Sequence, residues 1–289
     1  MKTVSFSQFG MWANCPWQWK LNYVDGHRVF DASIHTIFGT SMHEVIQDWL
    51  VLLFKNENRA RTLYLHDTFK ENFLGHFKEN TIISENGEKV FLCDKPTLME
   101  FFQQGCEILT YIQENYKKIF PTEDTKLYAI EYKIDAEVRP GVKFIGYIDI
   151  VTHNTAEDVF TLYDLKTSNK GWSSYQKKDP KKINQLLLYK KFFSEELGIP
   201  LKAIDVEFTI LKRRINENSD FKIPRVSKFV PSNGKPSVNK SWAYFERFLD
   251  ECFTEDGERS PAQTATPSES NCRFCEYRDN KELCPFSAY

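Results

Sequence analysis

The stretch LYDLKTS, Leu162 to Ser168, breaks an apolar alternation with Asp164 and Lys166. In a strand, residues two apart point to the same face, so this carboxylate and ammonium emerge side by side. A second carboxylate, Asp149, stands in GYIDIV on the preceding strand-like run, and a hairpin-like connection brings the two acids to neighbouring strand ends. Like charges there are costly unless a cation lies between them. Aspartate oxygens suit hard Mg²⁺ or Mn²⁺. A metal so held neutralises a phosphodiester anion and lowers the pKa of bound water, and Lys166 can orient that water or stabilise charge developing on a phosphate. An isolated Asp-x-Lys triplet equally describes a solvated ion pair. Asp149 and Lys166, however, both interrupt strands that read as buried, where charge without function is expensive.

Two further groups could do chemistry. Of seven cysteines, Cys93, Cys106 and Cys252 are scattered singly and read as small buried residues. Cys272, Cys275 and Cys284 crowd NCRFCEYRDNKELCPF with the spacing Cys-x2-Cys-x8-Cys, and Cys15 in ANCPWQWK is a lone upstream partner. Four thiolates suit tetrahedral zinc or a 4Fe–4S cluster, and in a reducing compartment such clustering points to metal rather than disulfides. The segment TSNKGWSSYQKKDPKKINQ carries Lys170, Lys177, Lys178, Lys181 and Lys182 with Trp172 and Tyr175 among them. Lysines contact phosphates and aromatics stack on unpaired bases; a solvated charged loop is the alternative. Lys212, Arg213 and Arg214 read as a second basic patch.

The elements that must position these groups follow from periodicity. Helices are expected over Ser5–Tyr23, broken or kinked at Pro16, over Gly39–Lys55, and over Thr97–Ile119 after the polar stretch ENTIISENGEK. KLYAIEYKIDAEV, VKFIGYIDIVT and VFTLYDLKT read as strands. The turns RPG and HNTAED between them are short enough to require antiparallel pairing. KKINQLLLYKKFFSEEL returns to helix, AIDVEFTILKRR to strand, and a late helix covers Ser237–Phe253. GERSPAQTATPSES is a linker to the cysteines, whose tail would be mobile without a cross-link. The sum is an α/β fold with a small mixed sheet.

Bulk properties bound the function. The chain has 289 residues, 41% of them hydrophobic and 27% charged, enough for a real core. A formal net charge of -2 neither announces nor excludes nucleic acid, because a basic groove can sit on a neutral protein. The longest apolar run, Trp49 to Phe54, is far too short for a membrane span, and the N-terminus lacks a secretory apolar segment. A soluble, cytoplasmic protein with no membrane partner is expected. No Walker-type phosphate loop is present, so any unwinding belongs to another protein.

As an ordered set, Gly39 to His43 in GTSMHEV, Glu131 in AIEYKI, Gly146 to Asp149 in GYIDIV, Asp164-Leu165-Lys166, and Gln185 to Tyr189 in NQLLLYKKF resemble the RecB-like exonuclease branch of the PD-(D/E)XK nuclease superfamily. The similarity spans nearly the whole chain. It implies a restriction-endonuclease-like core, with residues 1–289 forming one nuclease domain: an N-terminal helical part (1–120), the core and late helix (121–256), and a linker and cysteine tail (257–289). It further implies Asp149 and Asp164 as metal-ligating carboxylates and Lys166 as the catalytic lysine. His43 would be an imidazole ligand and the Leu165 carbonyl another. Gln185 and Tyr189, one helical turn apart, would support the site or contact the nucleic-acid backbone. Glu131 reads as structural, with ligation the lesser candidate. The one-plus-three division of cysteines resembles the iron–sulfur nucleases of the AddB and CRISPR-adaptation type. That implies a 4Fe–4S cluster on Cys15, Cys272, Cys275 and Cys284, fastening the tail to the N-terminal helices, with zinc the alternative. The expected activity is an Mg²⁺- or Mn²⁺-dependent exonuclease on single-stranded DNA ends, in recombination, repair or phage DNA metabolism, with a helicase or repair proteins as partners. The other expectation is a non-catalytic DNA-end-binding module or subunit of such a complex.

Overall fold

The computed structural model describes residues 1–289 apart from 29–31, 84, 85, 87, 88, 217–220, 222 and 289. The chain opens with a short strand, β1 (Lys2–Val4), then α1 (Phe6–Asn14) and α2 (Pro16–Tyr23). Ser5 caps α1 by accepting the Gln8 N–H, and Pro16 begins α2, where its missing N–H is no loss. α3 (Ile34–Lys55) starts earlier than its apolar period suggests, because Ser33 and Thr36 form a reciprocal capping box. α4 (Glu57–Thr62) and α5 (Leu65–Glu79) follow, neither expected from the sequence. A small hairpin, β2 (Ile82–Ile83) and β3 (Lys89–Val90), occupies the described part of the polar stretch, and α6 (Lys95–Ile119) is capped by Asp94.

β4 (Thr125–Arg139), β5 (Val142–Asn154) and β6 (Val159–Ser168) form the two expected antiparallel connections, with Gly141 at φ +77° turning the first. α7 (Pro180–Leu197) then crosses to β7 (Ile204–Lys212), which runs parallel to β6. β8 (Val226–Phe229), α8 (Lys235–Cys252) and α9 (Glu269–Cys272) complete the chain. Helices α3 to α6 bury Phe38, Phe69 and Phe73 with Ile150 and Leu165 on one side of the sheet. Helices α1, α2, α7 and α8 bury Phe9, Trp19 and Phe245 with Phe144 and Phe208 on the other. The result is a mixed sheet between two helical layers.

One topological feature positions the site. β4 covers one edge of β5 along its whole length, so β1 and β6 must share the other. β1 takes Val142 to Phe144 and β6 takes Ile150 to Asn154. Beyond Ile150 the two strands part, while β6 continues alongside β7 to Ser168. The fork carries Asp149 on one prong and Asp164 to Lys166 on the other.

The tail lies on α1 and α2. The Trp17 indole donates to the Leu283 carbonyl (3.0 Å), Asn22 to Glu276 (2.9 Å), and the Tyr277 hydroxyl to the His27 carbonyl (2.7 Å). These bonds hold it independently of any cross-link through the cysteines. Among the described residues no helix is long and apolar enough to cross a membrane.

α5 and α6 meet so closely that a methyl group at Gly105 would overlap the fully buried Phe69 ring. Gly105→Ala should therefore lower the unfolding free energy by about 1–3 kcal/mol despite alanine's better helix propensity. Chemical denaturation measures this, and unchanged or raised stability would contradict the packing.

Candidate active site at a strand fork

Where β5 and β6 separate, backbone groups lose their ladder partners, and buried ones must be satisfied otherwise. Side chains at the site do this. The Leu165 N–H donates to Asp149 Oδ2 at 2.6 Å. The Leu165 carbonyl accepts from His43 Nε2 at 2.9 Å. The Tyr189 hydroxyl lies near the Tyr147 backbone, and its ring packs so tightly on Gly146 that a Cβ there would lie 2.8 Å from it. Gln185, one turn earlier on α7, donates to the same hydroxyl at 3.4 Å.

The register pairs Ile130 with Ile150 and Tyr132 with Ile148, which sets Glu131 directly opposite Asp149. Two carboxylates facing each other across an antiparallel pair repel. Glu131 also holds a left-handed backbone, φ +49°, unusual for a non-glycine residue and costing about 1–3 kcal/mol. Gln47, four residues beyond His43 on α3, donates to Glu131 at 2.5 Å and to the Asp149 carbonyl at 3.2 Å. His43, Glu131 and Asp149 each offer a ligand atom within 4.8 Å of the others.

Histidine's tautomer sharpens the point. A carbonyl only accepts, so Nε2 carries the proton and the Nδ1 lone pair faces Asp149 Oδ2 at 3.7 Å. Burial holds the His43 pKa below its ordinary value, against the raising effect of Asp164, so the ring is neutral near pH 7. Two acceptors thus point at each other. Burial, and then the Asp164 charge, push the Asp149 carboxyl well above the usual range.

Asp164 is buried, and Lys166 Nζ donates to its Oδ1 at 2.9 Å. Its Oδ2 is also buried and touches the same ammonium at 2.8 Å. Burial works against the Lys166 charge, but Asp164 and then Asp149 outweigh it and hold its pKa above the ordinary lysine value. Converging oxygens of Glu131 and Asp149 and a neutral imidazole make a donor set that fits a hard divalent cation.

The cysteines sit apart from the fork. Cys15 joins α1 to α2, Cys272 ends α9, and all four thiols line one cavity with Trp17, Leu21 and Phe286. Burial raises the Cys275 thiol to about 11 and also raises Cys284, each further raised by neighbouring cysteines of the set. A donor set of four converging thiols fits a thiophilic metal centre, which would hold them deprotonated.

The basic segments divide. Lys170, Lys178 and Tyr175 are exposed, Tyr175 to 81%. Trp172 packs against Phe208 and Phe229 under Lys182, Lys177 lies over Phe229, and Lys181 donates to Asn14. The expected second patch is not presented to solvent as one. Lys212 and Arg213 are buried, Arg213 over the Phe101 ring with its guanidinium on Gln104, and Arg214 pairs with Glu100. A run of charges in sequence carries no information about which of its members a neighbouring aromatic covers.

A raised Asp149 pKa means that, between the ordinary carboxylate value and the raised one, the folded chain holds a proton that the unfolded chain has lost. The metal-free protein therefore loses stability through this group as pH rises across that window, and the full loss persists above it. Added Mn²⁺ should raise the melting temperature more at pH 8 than at pH 5. Asp149→Asn should raise the metal-free melting temperature at pH 8 and remove most of the Mn²⁺ effect. Equal Mn²⁺ shifts at both pH values in thermal unfolding would contradict the assignment.

No curated protein matches the chain. The solved structure of SSO0001 is similar over 98% of this chain and 97% of its own, at 11% identity and a TM-score of 0.31. The family model of the PD-(D/E)XK nuclease superfamily matches residues 3–285. A match of that extent, over a chain whose acids and lysine meet at a sheet fork, identifies it: this protein belongs to the PD-(D/E)XK nuclease superfamily.

Proposed function

We propose that the protein is a divalent-metal-dependent deoxyribonuclease, acting as an exonuclease on single-stranded DNA ends in recombination, repair or phage DNA metabolism. The observation that carries this reading is the fork itself: His43, Glu131 and Asp149 offering converging donor atoms beside the buried Asp164–Lys166 pair. His43, Glu131, Asp149, Asp164 and the Leu165 carbonyl would hold Mg²⁺ or Mn²⁺. When bound, such an ion supplies charge neutralisation for a phosphodiester and acidifies water.

The chain's own residues do the rest. Lys166, kept protonated by its two acids, is a donor and not a proton acceptor; it neutralises developing charge on a phosphate oxygen and orients the attacking water. Gln47 fixes Glu131, and Tyr189 with Gln185 keeps the β5 prong in register with its acid. The exposed Lys170, Lys178 and Tyr175 beyond β6 suit an unpaired strand.

We also read the whole chain as one nuclease domain whose tail is joined to α1 and α2 by a structural 4Fe–4S cluster on Cys15, Cys272, Cys275 and Cys284. That Cys15, Cys272, Cys275 and Cys284 line one cavity where α1 and α2 meet the tail supports this.

With Mg²⁺ or Mn²⁺, the wild-type protein should degrade labelled single-stranded DNA, and Lys166→Ala should be slower by about 10²-fold or more. Equally poor cleavage by both, with DNA binding intact, would leave a binding module instead. Protein purified anaerobically should be brown and contain about four irons per chain. Colourless protein with one zinc per chain would overturn the cluster.

A further inference from the structure

α7 shows Gln185 and Tyr189 to the fork and an adjacent stripe to a groove against α8. The stripe Pro180, Ile183, Asn184 and Leu187 faces Ser237, Lys240, Ser241 and Tyr244, each spaced as one helix face, across a groove of about 630 Å³. The volume lies in the range of ligand sites. Ile183, Leu187 and the Tyr244 ring make the groove apolar, while Asn184 and Ser241 are polar residues of its wall.

Ser241 is the informative residue. It is 2% exposed and its Oγ has no hydrogen-bond partner. A helical serine ordinarily bonds back to the carbonyl one turn earlier, as Ser41 does to Ile37 at 2.8 Å. Ser241 does not, which leaves an unpartnered buried oxygen in the wall of the groove. The rim is basic: Lys178 and Lys240 are exposed, and the one acid there, Asp179, is occupied in capping α7 through the Lys181 N–H. Tyr175, 81% exposed, stands beside them.

From this groove we infer that the protein holds an unpaired nucleotide of its substrate strand between α7 and α8, at a subsite separate from the metal-binding fork. A nucleobase has apolar faces and a polar edge, matching the apolar walls with Asn184 and Ser241. Its flanking phosphates match Lys178 and Lys240, and Tyr175 offers a stacking surface. A base within a duplex cannot enter without leaving its stack, so the groove selects single strands. Asn184 and Gln185 are consecutive, about 100° apart around α7, so groove and fork lie on adjacent faces of one helix. The inference rests on the nuclease reading and assigns its strand preference to named residues.

The test uses the full chain with EDTA to stop cleavage, a labelled oligothymidine and its duplex. Lys240→Glu and Tyr175→Ala, both exposed, should each weaken oligothymidine binding about 10-fold or more, and Lys240→Glu should flatten the salt dependence. An oligonucleotide carrying 5-iododeoxyuridine should cross-link to Tyr175 or Tyr244. The Mn²⁺-induced rise in melting temperature checks that each variant is folded. Unchanged binding with cross-links elsewhere, in a protein that still cleaves single strands, overturns the subsite and leaves the nuclease standing. Equal weakening for duplex and single strand overturns the unpaired-base assignment. A wild-type protein that neither binds nor cleaves single strands overturns both.

Discussion

Glu131 and Asp149 face each other across an antiparallel pair, with a third acid, Asp164, on the next strand. Repulsion of this kind is tolerated in a fold only where something cancels it. Lys166 cancels part, but its ammonium is committed to Asp164. His43 cannot contribute a positive charge because burial keeps it neutral. What is left is a shortage of one cation at a place already furnished with oxygen and nitrogen donors, and the surrounding structure makes sense as the means of keeping that shortage in one spot.

The sheet creates the spot. Because β1 occupies the start of β5 and β6 its end, the backbone between them has no ladder to join. α3 and α7 approach from opposite sheet faces and deliver His43 to the Leu165 carbonyl and Tyr189 against Gly146. Each contact holds one prong and orients a site side chain at the same time. A rigid core on both faces then holds the prongs apart, since neither helical layer can shift without disturbing close-packed aromatic clusters.

Much of this was legible in one dimension. The alternation in β4 to β6 and the short turns between them specified two antiparallel connections, and the strings holding His43, Asp149, Asp164 and Lys166 do converge at one fork. Glu131 was harder. Its importance appears only when the register places it opposite Asp149, and register is a property of two strands together. Gln47 carries a signal in the sequence, four residues after His43 on a helix. α5 had one too, in Leu65, Phe69, Phe73 and Phe77. The charges of Lys212 to Arg214 misled because burial is tertiary: Arg213 lies over an aromatic ring more than a hundred residues earlier in the chain.

The most direct test of the cation site is diffraction from crystals soaked in Mn²⁺, recorded where manganese scatters anomalously. An anomalous peak is expected at the fork, in contact with Asp149 and at least two of His43, Glu131, Asp164 and the Leu165 carbonyl. Manganese bound elsewhere on the molecule, with the fork empty at saturating concentration, would contradict it.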